Sequence, residues 1–188
     1  MAALALIALS ACTSTPAHKS EPNVSSADQR ANLTVLKKAD LPTGWDAVPA
    51  KSRLDGSPGK PVYCGVAAEP SPLREGRLGY YEEASTGRAI LEYAMVGSSA
   101  SATDVLDALI KAASTCPGAE QKFTQVKQAV HVGDQAVAWD TVSGEGARSR
   151  VMVFRAGDTV VAMIAFGTTS VPVNEQQAIA GTIASNLS

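Results

Sequence analysis

Short turns between β-rich runs are the feature that most constrains the fold of this chain. Ser85-Thr86-Gly87 separates two such runs, and Ala156-Gly157-Asp158 separates two more. A loop of a few residues can join antiparallel strands, whereas parallel strands need a crossover of a dozen or more residues. The sequence therefore predicts an antiparallel sheet.

The first of these hairpins has a predicted register. If its loop has three residues, Ala84 pairs with Arg88, and alternation then sorts the strand side chains into two faces. The predicted core face carries Tyr81, Leu91, Tyr93 and Met95, and the mixed face carries Tyr80, Glu82, Ile90 and Glu92.

Two segments have the apolar period of helices. One starts near Ser101 and Asp104, which resemble a capping box, and stops at Pro117-Gly118. The other runs from about Asn174 to Leu187. Four strands are predicted between the helices, at about 123–130, 136–142, 150–154 and 159–166. We therefore expect an α+β fold: a curved antiparallel sheet of about five to six strands with two main helices packed on one face.

The N-terminal residues predict export. Residues 1–11 are apolar and lead into Leu9-Ser10-Ala11-Cys12, which resembles the lipobox of bacterial lipoproteins. That resemblance implies cleavage before Cys12 and attachment of a diacylglycerol lipid to its thiol. No Lys or Arg precedes residue 12, so we expect the true translation start to lie upstream. The alternative is an ordinary apolar N-terminus with a chance cysteine.

The predicted domain organisation follows from composition. Residues 1–11 form the signal peptide, and residues 12–40 form the lipidated cysteine and a flexible tether, rich in polar residues that cannot bury enough apolar surface to fold. Residues 41–188 form a single α+β domain, long enough for one core.

The three cysteines have separate predicted roles. If Cys12 carries lipid, Cys64 and Cys116 remain, and thiol pairs of exported proteins form disulfides in an oxidising compartment. The alternative is one buried and one exposed free thiol. Two separated thiols do not make a zinc pattern, so no metal site is predicted.

Several classes of function lack support in the sequence. The net charge is −2 and the charged residues are scattered, which argues against nucleic-acid binding. No phosphate-binding loop or Gly-x-Ser-x-Gly motif is present, and His131 is the one histidine of the predicted domain. We therefore predict no enzyme activity and no cofactor. Trp45 and Trp139 either pack in the core or line a ligand cleft together with Tyr80.

Motifs along the chain add a resemblance. With the lipobox, the segments "ADLPTGW", "YCG", "ASTCPG", "VGDQAVAW" and "FRAGDTVVAMI" resemble actinobacterial cell-surface lipoproteins. Residues 35–187 resemble more narrowly the extracellular sensor-type domain of the PknH kinase. The LpqN-type lipoproteins with a PsbP-like fold are a second candidate. The PknH-like resemblance implies a disulfide-stabilised α+β domain with a ligand cleft.

These observations predict a membrane-anchored extracytoplasmic lipoprotein that acts as a ligand-binding or sensing module. Its expected partners are the outer face of the cytoplasmic membrane, through the lipid on Cys12, and a small apolar ligand or a cell-envelope protein. The alternative is an envelope scaffold or adhesion protein that works through a surface patch. An unrecognised hydrolase is the third and least supported reading.

Overall fold

The computed structural model describes residues 26–48, 62–63, 66–67, 74–115 and 121–188. The helices are α1 (Ser26–Asn32), α2 (Ser99–Thr115) and α3 (Val173–Asn186), with a short 3₁₀ helix at Lys38–Asp40. The strands are β1 (Asp46–Ala47), β2 (Val62–Tyr63), β3 (Val66–Ala67), β4 (Arg74–Glu83), β5 (Arg88–Val96), β6 (Gln121–Gln125), β7 (Gln135–Ser143), β8 (Arg148–Ala156) and β9 (Thr159–Gly167).

Seven of these strands form one open antiparallel sheet in the order β1-β4-β5-β9-β8-β7-β6. The chain leaves the β4–β5 hairpin through α2, which takes it to the far edge of the sheet. Three short connections then bring it back as β6 to β9, so that β9 pairs with β5 in the middle. Strands β2 and β3 form a separate two-stranded pair, and β2 contacts α2.

The predicted α+β class and antiparallel pairing are confirmed, as are the two main helices and the four strands between them. The sheet has seven strands rather than five or six, because Asp46–Ala47, which was not predicted as a strand, forms the short edge strand β1. Ser98, three residues before the predicted start at Ser101, caps α2 by accepting a hydrogen bond from the Ser101 amide at 3.2 Å. No helix in the described part of the chain is long and apolar enough to cross a membrane.

The helices cover opposite faces of the sheet, which corrects the expectation that both pack on one face. Strands β7, β8 and β9 are apolar at successive positions, and successive strand residues point to opposite faces. Val153 therefore packs with Leu106 of α2, whereas its neighbour Phe154 packs with Ile179 of α3. Because both faces of these strands are buried, they need a helix on each side.

The β4–β5 hairpin differs from the predicted register by one residue. Glu83 pairs with Arg88, so the loop has four residues, and Gly87 in it has φ +66°. A slip of one residue moves a whole strand to the other face. Tyr81 therefore shares the α3 face with Ile90 and Glu92, while Tyr80 shares the α2 face with Leu91.

The folded domain begins before the predicted boundary at residue 40. Residues 26–32 form α1, which contacts β4 and β5, and Ala31, Thr34 and Leu36 are buried. Alternation explains this: Thr34 and Leu36 point inward, whereas Leu33 and Val35 point to solvent. The predicted signal residues 1–11 and all three cysteines, Cys12, Cys64 and Cys116, lie outside the described residues.

Candidate functional site

Trp45, one of the three predicted cleft residues, is buried on the α3 face of the sheet. The turn before it is closed by a hydrogen bond from the Trp45 amide to Pro42 O at 3.1 Å. Its indole Nε1 donates to Glu175 Oε1 of α3 at 3.4 Å. The Arg88 guanidinium lies 5.7 Å from the ring centroid, within the range of a cation–π contact. Trp45 is therefore a packing residue of the core.

Trp139 and Tyr80 lie on the opposite, α2 face. Trp139 packs edge-on against Phe123, with ring centroids 6.4 Å apart, and Tyr80 contacts Phe166 at 6.3 Å. Tyr80 and Trp139 belong to one row of paired residues that runs across the sheet, and the residues between them are Leu91, Ile164 and Val151. The two aromatic residues are therefore four strand-to-strand steps apart. At about 4.8 Å per step, this is a distance of roughly 19 Å. Trp45, Tyr80 and Trp139 therefore do not line a common cleft.

A cluster of charged groups joins the β4–β5 hairpin to α3. Arg88 Nε donates to Glu83 Oε2 at 2.7 Å, and its Nη1 donates to Glu175 Oε2 at 2.6 Å. Thr86 also donates to Glu83. Hydrogen bonds from Thr86 and Arg88 lower the pKa of Glu83, which is therefore ionised at neutral pH. This cluster fixes the hairpin loop against α3.

A buried carboxyl group, which the sequence did not reveal, lies on the same face of the sheet, four residues along β5 from Arg88. Glu92 is fully buried, and its Oε2 accepts a hydrogen bond from the Tyr81 hydroxyl at 2.8 Å. Burial raises the pKa of Glu92 to about 7, and the hydroxyls of Thr34 and Tyr81 partly oppose the shift. Burial also raises the pKa of Tyr81, so its hydroxyl keeps its proton.

Gly79 makes room for this pair. It stands opposite Glu92 in the hairpin, and a Cβ there would lie 2.5 Å from Tyr81 Oη and closer still to Glu92 Oε2. A glycine inside a strand is a signal of such close approach. This signal points to Glu92 only when the register of the hairpin is known, because the register decides which residue of β5 lies opposite Gly79.

An open groove of about 440 Å³ lies at the end of the sheet, between the β7–β8 hairpin and the segment that joins β9 to α3. Its lining residues include Val142 and Phe166, which are 38% and 37% exposed. Strand alternation places the Val142 side chain on the α3 face with Arg148, and the Phe166 side chain on the α2 face with Tyr80. Arg150 is held by Asp140, at 2.8 Å, and by the Val171 carbonyl, also at 2.8 Å.

Arg148 and three hydroxyl groups supply the polar part of this groove. Arg148 is exposed and has no ion-pair partner among the described residues. Thr168, Thr169 and Ser170 follow on the opposite wall. The groove therefore combines one available cation, several hydroxyl groups and one exposed apolar side chain, Val142, a composition suited to a small amphipathic molecule with an acidic group.

A second groove, of about 600 Å³, lies near the β8–β9 turn and the end of α3, and His131 lines it. His131 is exposed and makes no hydrogen bond to any other described residue. Asp134, three residues on, is engaged by the Gly157 amide at 2.9 Å and by Arg155 at 2.8 Å. The described residues hold no group of three metal-ligating side chains.

Comparison with known proteins relates this geometry to one solved structure. No family model matches the chain, and no curated protein matches it. The extracellular domain of PknH from Mycobacterium tuberculosis superposes with a TM-score of 0.57 at 11% identity, over 85% of this chain and 96% of that one. This chain therefore shares its fold with an extracellular domain, along nearly the whole length of that domain.

Proposed function

We propose that this chain is an extracytoplasmic ligand-binding or sensing module, held at the outer face of the cytoplasmic membrane by lipid on Cys12. The observation that carries the proposal is the fold shared with the extracellular domain of PknH over 96% of that domain. The lipobox-like Leu9-Ser10-Ala11-Cys12 supports the anchor. Two acyl chains would hold the protein firmly, at about 0.8 kcal/mol per buried CH₂.

The groove of about 440 Å³ is the proposed ligand site. Val142 would contact the apolar part of the ligand, and the Arg148 guanidinium, on the same face of the sheet, would bind its acidic group. Because the groove is open and small, the ligand would be a short amphipathic molecule and not a polymer enclosed by the fold.

Binding at this groove can be tested with decanoate as the probe and its methyl ester as the uncharged comparison. We expect decanoate to shift the NMR signals of residues 166–171, with the ester binding at least tenfold more weakly. Arg148→Gln should weaken decanoate binding by about tenfold, the loss of one charge-assisted contact. Lys111→Gln, on the exposed side of α2, is the matched control and should bind as the wild type does. Shifts confined to other surfaces would reject the groove as the site.

The anchor and the Cys64–Cys116 disulfide are tested by the mass of the intact native protein. We expect a diacylglycerol adduct on Cys12 and no free thiol at Cys64 or Cys116. A Cys12→Ala variant should be released from the membrane fraction. An unmodified Cys12 in exported protein would overturn the lipid anchor. Free thiols at Cys64 and Cys116 would overturn the disulfide.

An envelope scaffold or adhesion role is the second candidate. It is favoured by Leu33 and Val35, which are 46% and 37% exposed and lie side by side before β1. If this surface binds an envelope protein, Leu33→Ser with Val35→Ser should abolish crosslinking at that surface and leave decanoate binding intact.

A further inference from the structure

Residues 26–36, here called the N-terminal strap, are attached to the sheet by a small set of contacts. The Leu36 amide donates to Tyr81 Oη at 3.0 Å, and Asn186 Nδ2 of α3 donates to the Leu33 carbonyl at 3.3 Å. Arg30 forms an ion pair with Asp158 at 2.9 Å. Only a few buried side chains add apolar contact, so opening of the strap costs far less than unfolding of the sheet.

The strap covers Glu92, whose carboxyl group is incompletely satisfied. Oε2 has the Tyr81 hydroxyl as its partner, and Oε1 has none. The hydroxyl of Thr34 in the strap lies near this carboxyl group and opposes the rise of its pKa, but its single proton is donated to the Ala31 carbonyl at 2.8 Å. An ionised carboxylate would be left with one hydrogen bond in an apolar site, which is strongly unfavourable.

The groups that surround Glu92 offer no compensating positive charge in the described part of the chain. From β4, the titratable neighbour is Tyr81, on which Asp40 also acts. From β9, the paired residue is Met163, whose carbonyl accepts from Gln176 of α3 at 3.3 Å. In α1, Asp28 forms another interaction and Arg30 is engaged with Asp158.

The protonated carboxyl group, in contrast, fits the closed strap. Protonated Glu92 can donate to Tyr81 Oη, and the Tyr81 hydroxyl can then donate to the Thr34 carbonyl of the strap, 3.5 Å away. Tyr81 Oη keeps a second lone pair for the Leu36 amide. The added proton thus completes a chain of hydrogen bonds from the sheet to the strap.

We propose that the N-terminal strap is a pH-responsive cover, which closes over Glu92 when its carboxyl group is protonated and is released when that group ionises. Opening would hydrate the carboxylate, expose Tyr81 and lengthen the segment that precedes the domain by about ten residues. The inference does not depend on the ligand groove or on lipidation of Cys12.

The expected size of the effect follows from linkage. The open strap restores the ordinary pKa of Glu92, 4.5, whereas burial raises the pKa to about 7 in the closed state. The closed state is therefore favoured at low pH and loses its advantage as the pH rises from 4.5 to 7. Between pH 5.5 and 8.5, the ratio of open to closed strap should rise about 30-fold.

Hydrogen–deuterium exchange of the full chain measures this ratio. After correction for intrinsic exchange rates, the protection factors of amides 27–36 should fall about 30-fold from pH 5.5 to 8.5, while they stay below those of β9. In Glu92→Gln, which cannot ionise, the protection factors of amides 27–36 should not change with pH. Glu145→Gln, in the exposed β7–β8 turn, is the matched control and should follow the wild type.

Protection of the strap that is constant with pH in the wild type would overturn the proposal, as would a Glu92→Gln variant that keeps the wild-type pH response. If Glu92→Gln does not fold, ¹³C NMR of the Glu92 carboxyl in the wild-type chain decides. The carboxyl signal and the strap amide signals should then titrate together near pH 7. A titration midpoint of Glu92 near pH 4.5 would overturn the proposal, and so would strap amides that do not follow the Glu92 titration.

Discussion

The two faces of the seven-stranded sheet are covered by different helices and differ in polar content. On the α2 face, the buried side chains are mainly apolar, and the hydroxyl of buried Thr141 is paired with Ser149 at 2.7 Å. The α3 face contains both buried carboxylates of the described residues, Glu83 and Glu92, together with buried Gln176. The α2 face therefore depends on packing alone, whereas the α3 face also depends on the state of its ionisable groups.

This difference implies a division of roles within one small domain. Apolar contacts have no titrating groups, so the α2 face should contribute the same stability at every pH. The α3 face, which the N-terminal segment helps to cover, should respond to pH. Substitutions on the two faces can test this contrast.

Leu106→Ala should produce the largest loss of stability, and the loss should be independent of pH. Leu106 is fully buried in the α2 face, and truncation of a core leucine costs about 2–5 kcal/mol. Urea denaturation at pH 5.5 and 8.5 checks this. A loss that differs between the two pH values by more than 1 kcal/mol would show that the α2 face is coupled to ionisable groups.

Glu92 should make the stability of the wild type fall as the pH rises. Because burial raises its pKa from 4.5 to about 7, the folded state holds a proton that the unfolded state has lost between these values. The contribution is therefore complete below pH 4.5 and is lost by about pH 7, a decrease of about 3 kcal/mol. Denaturation curves of wild type and Glu92→Gln across this range measure it, and parallel curves would contradict the assignment.

Gly79→Ala should destabilise the α3 face by about 1–3 kcal/mol, the usual cost of an added methyl group in a filled site. Its Cβ would lie 2.5 Å from Tyr81 Oη, which belongs to a rigid ring. The loss should shrink in the double variant with Tyr81→Phe, because the hydroxyl is then absent. Equal losses in both backgrounds would mean that the clash is not with Tyr81.

Gly181→Ala, on the same side of the sheet as Gly79, should stabilise the protein, whereas Gly79→Ala destabilises it. Gly181 lies inside α3, and a Cβ there would meet nothing within 4 Å. Alanine is favoured over glycine in a helix interior by about 0.5–1 kcal/mol. Thermal unfolding should therefore show a small stabilisation. A destabilised variant would indicate that the groove beside α3 is closed in solution.

The local parts of the fold were predictable from the sequence, and the candidate site was largely not. The turn at Gly157, the helix period of α2 and the recurrence of Ile179 and Ile183 in α3 are signals within a few residues, and each element is confirmed. The β4–β5 hairpin was assigned a loop one residue too short, which exchanged the faces of its strands. Glu92 was then placed on the mixed face and not recognised as buried.

The predicted cleft failed for a related reason. Trp45, Tyr80 and Trp139 are all large aromatic residues, but their grouping required knowledge of the strand order and of the face that each occupies. Trp45 is at the β1 edge on the α3 face, and Trp139 is on the α2 face of β7. The residues of the observed groove are mainly Ser, Thr, Val and Arg, which have no distinctive sequence pattern.

The antiparallel sheet, its long strands and the two main helices can be predicted from local sequence, because turn residues and apolar periodicity act over short stretches of chain. Three features cannot: the helices cover opposite faces, residues 26–36 belong to the domain, and Glu92 is buried beneath them. These features depend on contacts between distant parts of the chain, such as Leu36 with Tyr81. A change of one residue in strand register alters them without altering any local preference.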